Sequence, residues 1–191
     1  MIIALTGKKG SGKSTAADYI ADRYGFRKYA FADPIKQACK LIFGWTDEQV
    51  NDPVLKEALD PFWGLIPREG MQSLGYDWGQ RALCEYDKFR EVTWRTLWAK
   101  RFVEMVYTHT YDWVISDMRF RHEWECLRMI GCPVVSIKVI RPGHRSDDTH
   151  ASETELNWIS PIDHMLINTG SIPDFQSDLD TIMGHIAGGS R

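Results

Sequence analysis

The chain has 191 residues, 43% of them hydrophobic and 26% charged, an ordinary globular composition that excludes a disordered, collagen-like or coiled-coil protein. Its 23 Lys and Arg against 26 Asp and Glu leave a formal charge of −3, which excludes a surface built to wrap duplex nucleic acid. The length predicts one domain with one sizeable core, carrying an inserted segment or lid.

Met1 to Leu5 is a nearly continuous apolar run stopped by Thr6 and Gly7, the pattern of a strand buried on both faces of a parallel sheet. The loop after it opens a helix with Ala17, Ile20, Ala21 and Tyr24 on one stripe and Gly25 as its stop. Lys28 to Ala32 reads as a second strand. Asp33-Pro34 then supplies an N-cap acceptor and a first-turn proline for a helix reaching about Phe43.

Between Gly44 and Arg68, the prolines Pro53, Pro61 and Pro67 interrupt every periodic stretch, predicting short helices and turns. Glu69 to Leu83 and Trp94 to Val106 are more helical, the second with Trp94, Trp98, Phe102 and Met105 on one face. Most of the eight tryptophans are read as core.

Trp113 to Ile115 is a buried strand ending in Ser116-Asp117, and the helix after it carries Phe120, Trp124, Leu127 and Ile130 before Gly131. Pro133 to Ile140 is the next strand, residues 141 to 151 a polar loop, and Met165 to Ile167 a last strand before an amphipathic terminal helix. This alternation predicts an α/β fold with a parallel sheet of about five strands, helices on both faces and ligands at the strands' carboxyl ends.

Cys39, Cys84, Cys126 and Cys132 form no C-x-x-C pair and no zinc spacing, so they are read as free thiols. No apolar run approaches the roughly 18 residues of a membrane span, and no leader-like segment precedes Thr6. A cytoplasmic protein without membrane partners is expected.

Gly7-Lys8-Lys9-Gly10-Ser11-Gly12-Lys13-Ser14-Thr15 matches G-x-x-x-x-G-K-[ST] between a predicted strand and a predicted helix. Such a loop turns successive N–H groups and a helix N-terminus toward phosphate, which makes Gly7, Lys9, Gly10, Ser11, Gly12, Lys13, Ser14 and Thr15 candidates for binding ATP. Lys13 would hold the β- and γ-phosphates and Ser14 would offer its hydroxyl to Mg2+. Asp117, ending a strand, is the second candidate for Mg2+; alone it reads first as a helix cap, and together with the P-loop as a metal carboxylate.

No guanine-type N-K-x-D follows a late strand, where Ile167-Asn168-Thr169-Gly170 stands instead, and Asp117 is followed by Met118 and Arg119 rather than by a second acid. From Arg119 to Arg145 six basic residues stand against two acidic ones. Arg119, Arg141 and Arg145 therefore favour phosphoryl transfer to an anionic small molecule, with Lys13 as the fourth catalytic candidate.

Across most of its length the chain resembles the deoxynucleoside monophosphate kinases of bacteriophages, a branch of the P-loop nucleoside monophosphate kinase fold. The resemblance lies in the P-loop, in Phe31-Ala32-Asp33-Pro34-Ile35-Lys36, and in Pro67-Arg68-Glu69 with Gln72, Leu74 and Gly75. It continues in Ser116-Asp117-Met118-Arg119-Phe120 with Glu123 and in His150-Ala151-Ser152-Glu153. It implies a three-layer P-loop core over 1–43 and 110–187, a helical acceptor-binding insertion over about 44–109, and a lid over about 141–157. Residues 188–191 are expected to be a mobile tail.

What the resemblance implies chemically is ATP-dependent conversion of a deoxynucleoside 5′-monophosphate to the diphosphate, in the host cytoplasm for a phage protein. It assigns the acceptor to Asp33, Lys36, Arg68, Gln72, Trp78, Arg81, Arg119, Glu123, His150 and Glu153, and the adenine to Asn168. A homodimer is compatible with it. Several positions keep a plain reading beside the functional one: Asp33 as a helix cap, Tyr76 and Trp78 as core, Ser152 with Glu155 as a capping box. The family's Gly-Thr-Glu followed by Gly-Arg becomes Gly75-Tyr76-Asp77-Trp78-Gly79-Gln80-Arg81 here, one residue longer, and many relatives have G-K-D-T where this chain has Gly12-Lys13-Ser14-Thr15. Two other readings fit the same motifs: a kinase for another small acceptor such as dephospho-coenzyme A, and a module that binds nucleotide without transfer.

Overall fold

The computed structural model describes residues 1–143 and 162–188. Two compact units form, Met1–Ala30 with Met105–Arg191, and Phe31–Glu104.

The first unit is built on five parallel strands: β1 (Ile2–Thr6), β2 (Arg27–Tyr29), β3 (Trp113–Ile115), β4 (Val134–Ile140) and β5 (His164–Ile167), in the order β2-β3-β1-β4-β5. Every residue of β1 is buried, as its central place requires. Ile3 and Leu5 share a core with Ala16, Ala17 and Ile20 of α1 (Lys13–Tyr24) and with Phe175, Leu179 and Ile182 of the terminal helix Ile172–Gly188. Gly25 ends α1 in the left-handed conformation and returns its N–H to Ala21 O.

From β1 the chain crosses to β2 on one side; from β3 it crosses over β1 to β4 on the other. Right-handed crossovers in opposite directions put their helices on opposite faces, which opens a crevice at the carboxyl ends of β1 and β3. The loops after these two strands carry the phosphate motif and Ser116-Asp117.

The second unit is helical. It contains α2 (Asp33–Phe43), α3 (Asp47–Asn51), a 3-10 turn (Leu55–Glu57), α4 (Pro67–Gln72), a π-helix (Ser73–Arg81), a second 3-10 turn (Ala82–Glu85), α5 (Asp87–Thr93) and the start of α6 (Leu97–Thr108). Its core gathers Cys39, Trp45 and Val50 against Ile35, Phe43, Met71 and Leu74. The proline-rich stretch is ordered by one carboxylate: Asp60 accepts from the Trp45 indole at 3.1 Å, from the Gln49 amide at 3.1 Å and from the N–H groups of Phe62 and Trp63 at 2.9 and 3.0 Å. These bonds, the Trp63 N–H first, hold its carboxyl below the usual carboxylate range.

Four local expectations are corrected. Asp33 is the first helical residue rather than the N-cap, which is Ala32, and its carboxylate pairs with Lys36 at 3.7 Å. The second strand stops at Tyr29, so α2 begins after a short turn and falls within the second unit. Trp94 is not on the α6 stripe: it precedes the helix with a left-handed backbone, φ 31°, and stands exposed. Among the seven described tryptophans Trp45, Trp113 and Trp124 are buried and Trp98 half-buried, whereas Trp63, Trp78 and Trp94 are exposed, so the core reading fails for these three.

Candidate active site at the strand carboxyl ends

The phosphate loop is shaped by its neighbours. Gly7 adopts φ 141°, and a Cβ there would fall 2.2 Å from Val139 O on β4. Gly12, at φ 109°, would place one 2.8 Å from the Asn168 amide. That amide donates to Ser11 O at 2.9 Å, while the Asn168 N–H binds Ile140 O at 2.7 Å, so the residue after β5 braces the loop between β1 and α1.

Lys13 opens α1 and is 8% exposed, with its ammonium donating to Gly7 O and Lys8 O at 2.7 Å each. The cation is thereby folded over the loop. Gly12, as N-cap, brings no side chain to the first amides of α1, and no acid occupies its first turn, which leaves that helix end open to an anion. Ser11 Oγ and Thr6 Oγ1 are buried with no partner among the described residues.

A cleft of about 440 Å³ lies over this loop. Gly10 and Gly12 through Thr15 form one wall, and Arg141, Asn168, Gly170, Ile172 and Phe175 the other. It brings together Gly10, Gly12, Lys13, Ser14, Thr15 and Asn168 of the predicted ATP residues with Arg141, whose side chain is exposed, whereas Gly7, Lys9 and Ser11 do not line it. Ile172 and Phe175 were invisible to sequence reasoning because they belong to the apolar stripe of an ordinary helix.

The β3 loop is fixed from below. Ser116 N–H binds Tyr29 O at 3.0 Å, and Met118 N–H binds Leu5 O at 3.1 Å. Buried Glu123, on α7 (Arg121–Arg128), accepts the N–H groups of Arg119 and Phe120 at 2.8 and 3.0 Å. One acid thus holds the backbone that presents Asp117 and Arg119, both half-buried. Burial pushes the Glu123 carboxyl up to about 8, with the nearby Asp117 charge adding to the rise and the two N–H groups and Arg119 opposing it.

A raised carboxyl makes stability fall with pH. The native state keeps a proton that the unfolded chain gives up from about pH 4.5, so the contribution is complete below that value and lost as pH passes about 8. Glu123→Gln is expected to remove this dependence while still accepting both N–H groups. In thermal unfolding with EDTA present, wild type should lose stability relative to the variant between pH 5 and 8, by on the order of a few kcal/mol, with a constant difference above. Parallel pH profiles for the two proteins would contradict it.

Six further acceptor candidates, Asp33, Lys36, Arg68, Gln72, Trp78 and Arg81, lie in the second unit. Arg68 forms an ion pair with Glu57, Asp33 pairs with Lys36, and Gln72 is half-buried. Trp78 and Arg81 are exposed, so the core reading of Trp78 is overturned. Arg145, His150 and Glu153, with Ser152, Glu155 and most of the expected lid, lie outside the described residues. The metal candidates Ser14 and Asp117 are hard oxygen donors, and no cluster of three or more His, Cys, Asp or Glu suited to a metal occurs among the described residues. That donor set fits Mg2+, which binds through one or two protein oxygens, substrate phosphates and water. No described helix is long and apolar enough to cross a membrane.

A parallel sheet in this order, with a phosphate cradle after β1 and an Asp-x-Arg loop after β3, defines a P-loop kinase. Solved structures share the fold: dephospho-CoA kinase from Campylobacter jejuni (TM-score 0.51, 17% identity, 100% of this chain and 98% of that one) and shikimate kinase from Aquifex aeolicus (0.52, 12%, 98% of each). The family model for deoxynucleotide monophosphate kinase matches residues 1–65 and 63–179. A protein of Acanthamoeba polyphaga mimivirus named provisionally as such a kinase is 39% identical over 188 residues, covering 94% of each chain. The deoxynucleotide monophosphate kinase of Enterobacteria phage T4 is 26% identical over 236 residues, covering 93% of this chain and 96% of that one. The chain belongs to the deoxynucleotide monophosphate kinase family.

Proposed function

We propose that the protein transfers the γ-phosphoryl group of ATP to the 5′-phosphate of a deoxynucleoside monophosphate, giving ADP and a deoxynucleoside diphosphate. The observation that carries the transfer is the phosphate cradle: the open amide end of α1, two unpaired buried hydroxyls and Lys13 held over the loop by Gly7 O and Lys8 O. Family membership carries the choice of acceptor.

In this reading Gly10, Ser11 and Gly12 receive the phosphates on backbone N–H groups, with Gly7 and Lys9 shaping and charging the loop and Asn168 bracing it beside the adenine. Lys13 moves its ammonium from the loop carbonyls to the β- and γ-oxygens as charge builds there. Ser14 and Asp117 would supply oxygens for Mg2+, which when bound would neutralise phosphate charge, and Thr15 lies with the ATP phosphates. Arg119 and Arg141, with Arg145 in the lid, hold the two nucleotides' phosphates in line, and no protein nucleophile is needed. Arg68 takes the acceptor phosphate and Gln72 its base, and the family resemblance assigns Asp33, Lys36, Trp78, Arg81, His150 and Glu153 to the same acceptor. Glu123 contributes by fixing the Arg119 backbone.

The test supplies Mg·ATP with dAMP, dGMP, dCMP, dTMP, their ribose forms and dephospho-coenzyme A, and follows ADP release and the phosphorylated product. Turnover of at least one deoxynucleotide is the expected result. Turnover of dephospho-coenzyme A alone would change the acceptor, and ATP binding with no transfer to any of them would make the protein a nucleotide-binding module.

A further inference from the structure

Gln80, on the π-helix of the second unit, is 3% exposed, and its Oε1 is buried with no hydrogen-bond partner among the described residues. An unpaired buried carboxamide oxygen is among the costlier features a fold retains, and native interiors keep few of them.

The helix that carries it packs closely on its neighbours. Gly75 and Gly79 lie against Ile35 and Trp98, where a Cβ would fall 2.8 and 2.7 Å from those side chains. The Trp98 indole N–H donates to Gly75 O at 2.8 Å, tying the helix to α6. π-Helical geometry is rare, usually a single turn, and concentrates at functional sites; here it runs for nine residues.

The same unit holds two further groups. Tyr76, four residues before Gln80 on the same helix, has the Arg95 guanidinium over its ring at 5.8 Å. Arg95 and its neighbour Trp94 both hold left-handed backbone, φ 62° and 31°, a strain that clusters where ligands bind. An aromatic ring, a carboxamide and a guanidinium are side chains suited to stacking on a base, hydrogen-bonding its edge and pairing with phosphate.

We propose that Gln80 is a specificity residue of the acceptor subsite, its buried carboxamide hydrogen-bonding the nucleobase edge of the bound monophosphate, with the Tyr76–Arg95 pair of the same unit contributing to that subsite. The inference rests on the acceptor reading above. A carboxamide offers one donor and one acceptor direction, and each base presents its own donors and acceptors in a different order, so a fixed amide ranks the four.

Gln80→Met keeps length and approximate volume while deleting the amide. It is expected to raise Tm, because an unpaired polar group leaves the interior, and to raise KM for the preferred deoxynucleotide by about tenfold or more. The spread of kcat/KM across dAMP, dGMP, dCMP and dTMP should narrow by a similar factor, with KM for ATP within about twofold of wild type. Gln80→Asn withdraws the amide by one methylene and should weaken every base and flatten the ranking part-way. Calorimetric binding of the four monophosphates without ATP repeats the comparison independently of turnover. An unchanged base ranking in either folded variant, in binding and in turnover, overturns the role of Gln80 and leaves the acceptor reading standing. Wild-type protein that neither binds nor phosphorylates any of the four overturns both.

Discussion

Lys13→Ala is expected to lower kcat/KM for phosphoryl transfer by about 10³-fold or more while the protein still folds. The ammonium sits at the head of α1, 8% exposed, on two loop carbonyls at 2.7 Å each. Deleting it leaves Gly7 O and Lys8 O without this donor, a cost of about 1–3 kcal/mol that a domain of this size tolerates. The catalytic loss is larger because charge gathers on the phosphate oxygens only as transfer proceeds, and a group matched to that charge acts mainly on kcat. Lys13→Arg separates charge from shape: a planar fork cannot replace a compact ammonium between two convergent carbonyls, so it should fail nearly as badly. Circular dichroism and a cooperative melt establish folding, and acceptor-dependent ADP release measures transfer. Substantial activity in a folded Lys13→Ala protein would remove the role assigned to it.

Lys13 was readable because its motif is local: nine consecutive residues dictate a loop whose geometry hardly depends on distant chain. The sheet was readable for a similar reason, since Ile2–Thr6 and Trp113–Ile115 are short runs buried on both faces, the usual pattern of strands in a parallel sheet covered by helices. Where tertiary contacts decide, the pattern misled. Asp33 before Pro34 carries a strong capping signal, yet the helix starts one residue earlier and spends that carboxylate on Lys36. Trp94 has the right spacing for the α6 stripe, but spacing carries no information about a left-handed break between α5 and α6. The π-helix leaves little periodic trace, because its i→i+5 geometry depends on Gly75 and Gly79 yielding space to Ile35 and Trp98, which are distant in sequence.

The site shows the same division. Asn168 was expected beside ATP, but its bracing of Ser11 O was not legible, nor was Glu123 as a buried clamp on the Arg119 and Phe120 amides. Gln80 carried no signal, since an amide's burial and lack of a partner exist only in three dimensions.

Gly7→Ala is expected to destabilise the protein by about 3 kcal/mol or more and to abolish ATP binding. Two independent costs meet at this position. Its φ of 141° is one that L side chains rarely adopt, and the new Cβ would lie 2.2 Å from Val139 O and 3.2 Å from Val139 C. Both atoms are backbone, so no rotamer change relieves the clash. Either β4 moves away from β1, against the register that pairs Leu5 with Ile137 and Thr6 with Lys138, or the loop lifts and its N–H groups no longer converge. Gly25→Ala isolates the conformational share of the cost, since Gly25 is also left-handed, φ 74°, but its Cβ would meet nothing within 4 Å. That variant should lose only about 1 kcal/mol and bind ATP normally. Denaturant midpoints and nucleotide titration of the two variants side by side make the comparison. Equal losses would mean that the left-handed backbone alone sets the cost, and that the close approach of β4 does not hold the phosphate loop in shape.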